Sequence, residues 1–216
     1  MVVNSKTFLI LQLIFVSFVG LCPAIAAEWE LADTDEGIKS FRKDEPGSPI
    51  TAFKGEAMVD APIAKVAWVI RDNDHRTEWV DRLQMSKVLE THSQFDKVLY
   101  QHFGLPWPIA DRDYVYRAKA LWRGDVLHFE LESTTSPNAP ETVGVRANLI
   151  RCVYRLKAWG DERTHVTVEV HTDPRGSLPA TLVNFIQKSW PIKTLKGIRR
   201  MVKKPYAQLA ELPPTP

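Results

Sequence analysis

The feature that most constrains this chain is a succession of extended segments joined by connections too short to hold a crossover helix. Runs at 85–90, 95–103, 112–122, 126–132, 149–159 and 164–171 are rich in β-branched and aromatic residues, and turn residues separate most of them. Parallel neighbours need a connection of about a dozen residues or more, so the spacing predicts an antiparallel sheet. Two runs alternate well enough to assign faces. Leu127, Phe129 and Leu131 oppose Val126, His128 and Glu130, and Val166, Val168 and Val170 oppose His165, Thr167, Glu169 and His171. One face of the sheet is therefore apolar and the other wet.

The remaining elements frame that sheet. Segments 37–43 and 50–59 read as two further strands around a turn at Pro46, Gly47, Ser48 and Pro49. A short helix follows, with Pro62 in its first turn, Asp60 placed to cap it, and Ile63, Val66, Ala67 and Ile70 at helical spacing. From 179 to 204 the apolar residues Leu182, Phe185, Ile186, Leu195, Ile198 and Val202 form one stripe with basic residues largely opposite, which predicts a single long amphipathic helix. Such a helix spans roughly 39 Å, and Pro191 is expected to kink it near its middle. The class is α+β: a curved antiparallel sheet with one long C-terminal helix across it.

At the N-terminus, Lys6 precedes an apolar run from Phe8 to Leu21, then Pro23 and the small residues Ala24, Ile25 and Ala26. This is the anatomy of a secretory signal peptide cleaved between Ala26 and Ala27, and it predicts a secreted, periplasmic product. An uncleaved anchor and a lipoprotein on Cys22 are the alternatives. Removing 26 of the 216 residues leaves 190, a length for one domain, drawn here at 27–205 with a short Pro-rich tail at 206–216. Only Cys152 remains of the two cysteines, so no internal disulfide is possible and the thiol reads as a small core residue.

Charge is nearly balanced, with 28 Lys and Arg against 26 Asp and Glu, but it is segregated. From Pro174 to Ala210 there are eight basic residues and no acidic one. Lys193, Lys196, Arg200 and Lys203, three and four residues apart, are expected to form a basic edge that docks transiently on an anionic membrane surface; a solvated helix face is the plainer alternative. Nucleic acid is not an expected partner of an exported protein. There is no nucleophile elbow, zinc helix or phosphate-binding glycine loop. Asp72, Asn73 and Asp74 begin like a calcium loop, but Thr77 and Leu83 stand where that loop needs Gly and Glu. No cofactor and no metal are expected.

Several blocks together resemble the START lipid-transfer family. They are Ala61, Pro62 and Val66; Arg71 and Asp72; Arg76, Thr77, Glu78 and Trp79; Val88, Leu89 and Glu90; Pro106, Trp107 and Pro108; and Asp111, Arg112, Asp113, Tyr114 and Val115. Asp173, Pro174, Gly176, Leu178, Pro179 and Asn184 resemble the start of that family's C-terminal helix. The resemblance implies a helix-grip fold whose sheet wraps the helix around a tunnel for one sterol, phospholipid or other hydrophobic molecule, carried by a monomer. On that reading small side chains at Ala118, Ala120 and Cys152, beside Tyr114, Tyr116 and Tyr154, edge the tunnel, with Tyr100 and Phe129 on neighbouring strands. Leu182, Phe185, Ile186, Leu195 and Ile198 close over it. Composition alone equally allows these residues to pack a solid core. Arg112 and Asp113 are expected to make structural ion pairs, and Trp79 and Trp107 to pack structurally. The strands offer Tyr100, Gln101, His102 and Ala118 where sterol binders of the family carry a charged pair, so no charged ligand anchor is visible. A cyclase- or hydrolase-type enzyme and a lipid-sensing interaction protein are the competing readings.

Overall fold

The computed structural model describes residues 28–215; the predicted leader and its cleavage point lie outside them. Ten strands form one sheet: β1 (Glu30–Asp35), β2 (Ile38–Lys43), β3 (Ala52–Val59), β4 (Leu83–Ser93), β5 (Asp96–Phe103), β6 (Arg112–Arg123), β7 (Val126–Ser133), β8 (Val145–Arg146), β9 (Asn148–Ala158) and β10 (Thr164–Asp173). Helix α1 (Ile63–Arg71) and a 3-10 turn (Arg76–Glu78) connect β3 to β4, and α2 (Ala180–Gln187) and α3 (Trp190–Met201) follow β10. The sheet order is β1-β2-β3-β10-β9-β7-β6-β5-β4. Every neighbouring pair on this path is antiparallel, as the short connections require. The exception is β8, which pairs with the start of β6 in parallel over two residues, reached through a long loop after β7.

Each strand expected from the sequence is present, and β1 and β8 are additional. The sequence of β1, ELADTD, has little strand propensity and little to bury. It forms because Glu36 and Gly37, both at positive φ (50° and 71°), make a tight hairpin turn that presents β1 to β2. The two faces divide as the alternation requires: Val166, Val168 and Val170 are buried in the core with Leu127, Phe129 and Leu131, while Arg155 on β9 reaches Glu169 at 3.1 Å on the opposite face. Register shifts in β4 against β5 and in β9 against β10 bend the sheet.

Helix α1 starts after Pro62, not under a side-chain cap: Asp60 makes no capping bond and instead pairs with Arg163 at 3.2 Å. The predicted single C-terminal helix is two. A break at Lys188 and Ser189 separates α2 from α3, and Pro191 sits in the first turn of α3, where its missing N–H costs nothing. Proline has no N–H for the carbonyl four residues back and its ring clashes with that carbonyl, so the helix is interrupted just before 191 and restarts with the proline in its first turn. The two pieces differ in depth. Helix α3 buries seven of its residues, including Ile192, Leu195, Ile198 and Met201, whereas α2 buries only Val183.

Helix α3 lies close on β3 and on the 3-10 turn because two glycines make room for it. A β-carbon at Gly55 would stand 2.8 Å from both Leu195 Cδ1 and Pro191 Cβ, and one at Gly197 would stand 2.9 Å from the Trp79 carbonyl oxygen. Trp79 is 4% exposed, so it cannot retreat. Alanine is the better helix former by about 1 kcal/mol, but overpacking a filled contact costs roughly 1–3 kcal/mol. Gly197→Ala is therefore expected to destabilise by up to about 2 kcal/mol, read as a lower urea midpoint at unchanged slope. A rise in the midpoint would show that the contact is looser than these distances.

Candidate ligand-binding site

Between the inner face of the sheet and α2 lies a cavity of about 170 Å³. Its walls come from β5 (Gln101, Phe103), β6 (Arg112, Tyr114, Tyr116), β7 (Leu131), β9 (Leu149, Cys152, Tyr154) and β10 (Val170, Thr172), and Leu178, Val183, Ile186 and Trp190 cover it. Period-two alternation aims Cys152 and Tyr154 inward together with Val168 and Val170. A register shift opposite His171 resets the alternation, so that Leu149 also faces in, and Thr172 donates to the Asn148 carbonyl at 3.0 Å. A second cavity of about 50 Å³ lies alongside, lined by Ala118, Ala120, Phe129, Leu99, Val88 and Ile70, with Arg71, Lys97 and Lys119 also on its boundary.

The residues expected at a ligand site thus divide. Tyr114, Tyr116, Cys152, Tyr154 and Ile186 line the main cavity, and Ala118, Ala120 and Phe129 line the second. Tyr100 lies on the other face of the sheet: it pairs with Val115, packs with Val98, and donates to Asp113 at 3.3 Å. The cavity-facing positions of β5 are Gln101 and Phe103, since adjacent residues point to opposite faces. Leu195 and Ile198 are fully buried in the contact of α3 with the sheet, and Leu182 borders neither cavity. Phe185 points away altogether, 77% exposed, on a helix that buries only Val183.

The basic edge drawn from helical spacing is largely engaged by the protein itself. Lys193 pairs with Asp81 at 2.9 Å, Lys196 with Asp35 and Glu36 at 2.7 Å each, and Arg200 donates to the Glu78 carbonyl at 2.9 Å. Of the four, only the Lys203 side chain makes neither an ion pair nor a hydrogen bond among the described residues. The segregation of charge in the sequence is in this way complementary within the fold. Asp113 makes its expected ion pair, with Arg146, but Arg112 pairs with no described carboxylate: it donates to the carbonyls of Pro174 (3.0 Å), Arg175 (3.1 Å) and Ala110. Trp79 packs as expected, whereas Trp107 is 92% exposed.

The residue that sequence reasoning passed over is Arg76. It is 8% exposed, lines both cavities, and forms no ion pair with any described carboxylate. Its Nη1 donates to the Tyr116 hydroxyl at 3.4 Å and Nη2 to the Ile70 carbonyl, while Nε is buried with no partner. Two more polar atoms of cavity residues, Arg82 Nη1 and Gln187 Oε1, are likewise buried without a partner. Burial raises the pKa of Tyr114 and Tyr116, raises that of Tyr154 further, and pushes the Cys152 thiol up to about 12. These groups stay neutral at physiological pH, so the Cys152 thiol is not activated, and the charged groups bordering the main cavity are the guanidinium groups of Arg76, Arg82 and Arg112 and the carboxylate of Asp81. Among the described residues no cluster of three His, Cys, Asp or Glu side chains is placed to hold a metal.

Compared with known proteins, residues 24–208 match the START domain family. A curated but uncharacterized protein of Pseudomonas aeruginosa is 28% identical over 184 residues, covering 84% of this chain and 90% of its own. The phosphatidylcholine transfer protein of Homo sapiens is 26% identical over 185 residues, covering 82% of this chain and 86% of its own. Among solved structures, a STAR-related lipid transfer protein fragment from Xanthomonas axonopodis superposes with a TM-score of 0.71 at 28% identity, over 82% of this chain and 99% of that one.

Proposed function

Because this chain belongs to the START domain family, we propose that it carries one phospholipid, with the acyl part against the apolar walls of the cavity and the phosphate on Arg76. The observation that carries this reading is a buried guanidinium whose Nε has no partner among the described residues, on the wall of a cavity lined mostly by apolar and aromatic side chains. Burying a cation without a counter-charge is costly, and a phosphate meets it with charge-assisted hydrogen bonds that a sterol hydroxyl cannot match. The likeness to a phosphatidylcholine transfer protein supports the same ligand class. Neutral tyrosines and an unactivated thiol suit the wall of a carrier.

Loading requires an opening, and of the two C-terminal helices α2 is the less tied down, with one buried residue against seven in α3. It carries exposed Phe185, and the loop after β5 that supplies Leu105 to the cavity carries exposed Trp107. Two large exposed apolar side chains on the elements that flank one cavity make a membrane-docking surface, with α2 swinging out once lipid covers it. The leader in the sequence supports export to the periplasm, with the mature chain starting at Ala27. Solvent extraction of the natively purified, exported protein followed by mass spectrometry is expected to release a stoichiometric phospholipid, and the intact mass to start at Ala27. Trp107→Ala with Phe185→Ala is expected to slow transfer of fluorescent phosphatidylcholine between vesicles several-fold while the carried lipid remains. A protein that extracts empty and transfers nothing overturns the reading.

A further inference from the structure

We propose that the surface between α1, the turn joining β4 to β5, and β6 is a docking groove for a segment of a partner protein that reads acidic residue, Leu, Pro, and that the C-terminal tail of this chain covers it in the free molecule. Docking there needs no ligand in the cavity.

Residues 207–215 have no regular secondary structure. Pro213 and Pro214 bias Leu212 and Pro213 to extended or polyproline backbone, in which main-chain groups find no partners within the segment itself. Groups of the groove meet them instead. The Ala64 carbonyl accepts from the Ala210 N–H at 3.0 Å, Arg71 Nη1 donates to the Glu211 carbonyl at 2.6 Å, and the Trp122 indole donates to the Pro213 carbonyl at 2.8 Å. Pro213 is buried and Leu212 packs on the core, whereas Gln208, Leu209, Glu211, Pro214 and Thr215 are exposed. Main-chain contacts on alternate residues, with a buried proline held by an aromatic side chain, are the means by which aromatic-lined grooves take preformed Pro-rich segments.

Contacts other than those of the tail hold the groove in shape. Arg71 also donates to the Gln94 carbonyl at 3.1 Å and lies 5.0 Å over the Phe95 ring, and the main chain of Trp122 pairs with Leu127 in the sheet. Burial lowers the Arg71 pKa and the nearby Glu211 carboxylate raises it, so an acidic residue before the leucine suits the site. The tail reaches the groove from the turn at 202–206, so in the free molecule it competes at an effective concentration on the order of millimolar. A partner segment displaces it by abundance or by further contacts of its own. Trp122 lies near the end of β6, whereas the loop that carries Trp107 leads into its start, so a docked partner leaves free the side assigned above to the membrane.

The test is fluorescence anisotropy of a synthetic peptide of residues 206–215, labelled at its N-terminus and titrated with the unmodified protein and with Leu212→Gly/Pro213→Gly, whose own tail no longer fills the groove. The double variant is expected to bind the peptide about tenfold more tightly than the unmodified protein does, because the competing tail is gone. Adding Trp122→Phe, which keeps an aromatic ring and removes the N–H, is expected to weaken that binding about fivefold, the usual net share of one neutral hydrogen bond. Near-UV circular dichroism establishes that the variants are folded; Ala210→Pro, which removes one main-chain donor of the tail, takes the place of the double variant if that is not, with the same direction expected. No binding to the tail-released protein, an unchanged affinity with Trp122→Phe, or equal binding by a peptide that itself carries Leu212→Gly and Pro213→Gly overturns the groove and leaves the tail a structural strap.

Discussion

Arg76→Met is expected to lower affinity for phosphatidylcholine about 10- to 100-fold and, at the same time, to raise the stability of the lipid-free protein. The two effects share one cause. Without ligand, the guanidinium is buried with only the Tyr116 hydroxyl and the Ile70 carbonyl to receive its protons, and no described carboxylate balances its charge. An uncompensated charge is what the interior tolerates least, so an apolar side chain of similar length relieves a desolvation cost larger than the two neutral hydrogen bonds that it gives up. We expect a gain of roughly 1–2 kcal/mol on that account. With ligand the balance reverses, because hydrogen bonds to charged groups contribute about 1.5–3 kcal/mol and Met supplies none. Diacylglycerol, which lacks the phosphate, should lose little affinity in the same variant. Thermal melts without lipid, together with titrations of both lipids, decide the matter. A variant that loses stability yet binds phosphatidylcholine normally would make Arg76 a structural post for the 3-10 turn.

Ending the chain at Pro205 is expected to lower the melting temperature by roughly 5–15 °C. The tail, drawn in the sequence at 206–216 as lying beyond the domain, is over its described residues 206–215 a strap across α1, the 3-10 turn and β6. Tyr206 stacks on His75 with ring centroids 4.2 Å apart and donates to Glu78 at 2.7 Å. Ala210 N–H donates to the Ala64 carbonyl at 3.0 Å, Arg71 donates to the Glu211 carbonyl at 2.6 Å, and the Trp122 indole donates to the Pro213 carbonyl at 2.8 Å. Leu212 and Ala210 pack against the central core. Each of the hydrogen bonds to main-chain groups contributes about 1 kcal/mol net, and removing the strap also bares apolar surface around Trp68 and Trp122. The fall should appear in lipid-free and lipid-bound protein alike. A change of less than about 2 °C would mean that the strap merely rests on the surface.

These expectations draw on different levels of the molecule. Alternation in 126–132 and 164–171 was enough to assign strands, faces and antiparallel pairing, because side-chain direction in a strand is a local property of period two. The stripe of Leu195, Ile198 and Val202 was likewise enough to mark a buried helix. Blocks such as Asp111 to Val115 carried the family resemblance, and with it the fold. Local pattern failed wherever a contact joins distant residues. Tyr100 was assigned to the cavity because an aromatic beside Gln101 is equally plausible there, and only the pairing of Leu99 with Tyr116 settles which neighbour faces in. Lys193 and Lys196 looked like a free basic edge because Asp81, Asp35 and Glu36 are more than a hundred residues away in the chain. Arg76 stood in the sequence only as one residue of a block that carries the family resemblance, with no role assigned, since burial is no property of a side chain alone but of what the rest of the chain places around it. Periodicity and turn chemistry act over a few residues, so the sequence by itself determined the elements, their faces and the antiparallel sheet. Register, charge partners and the space left unfilled between sheet and helices arise from contacts that close only when remote segments meet, and the tertiary structure alone decided them.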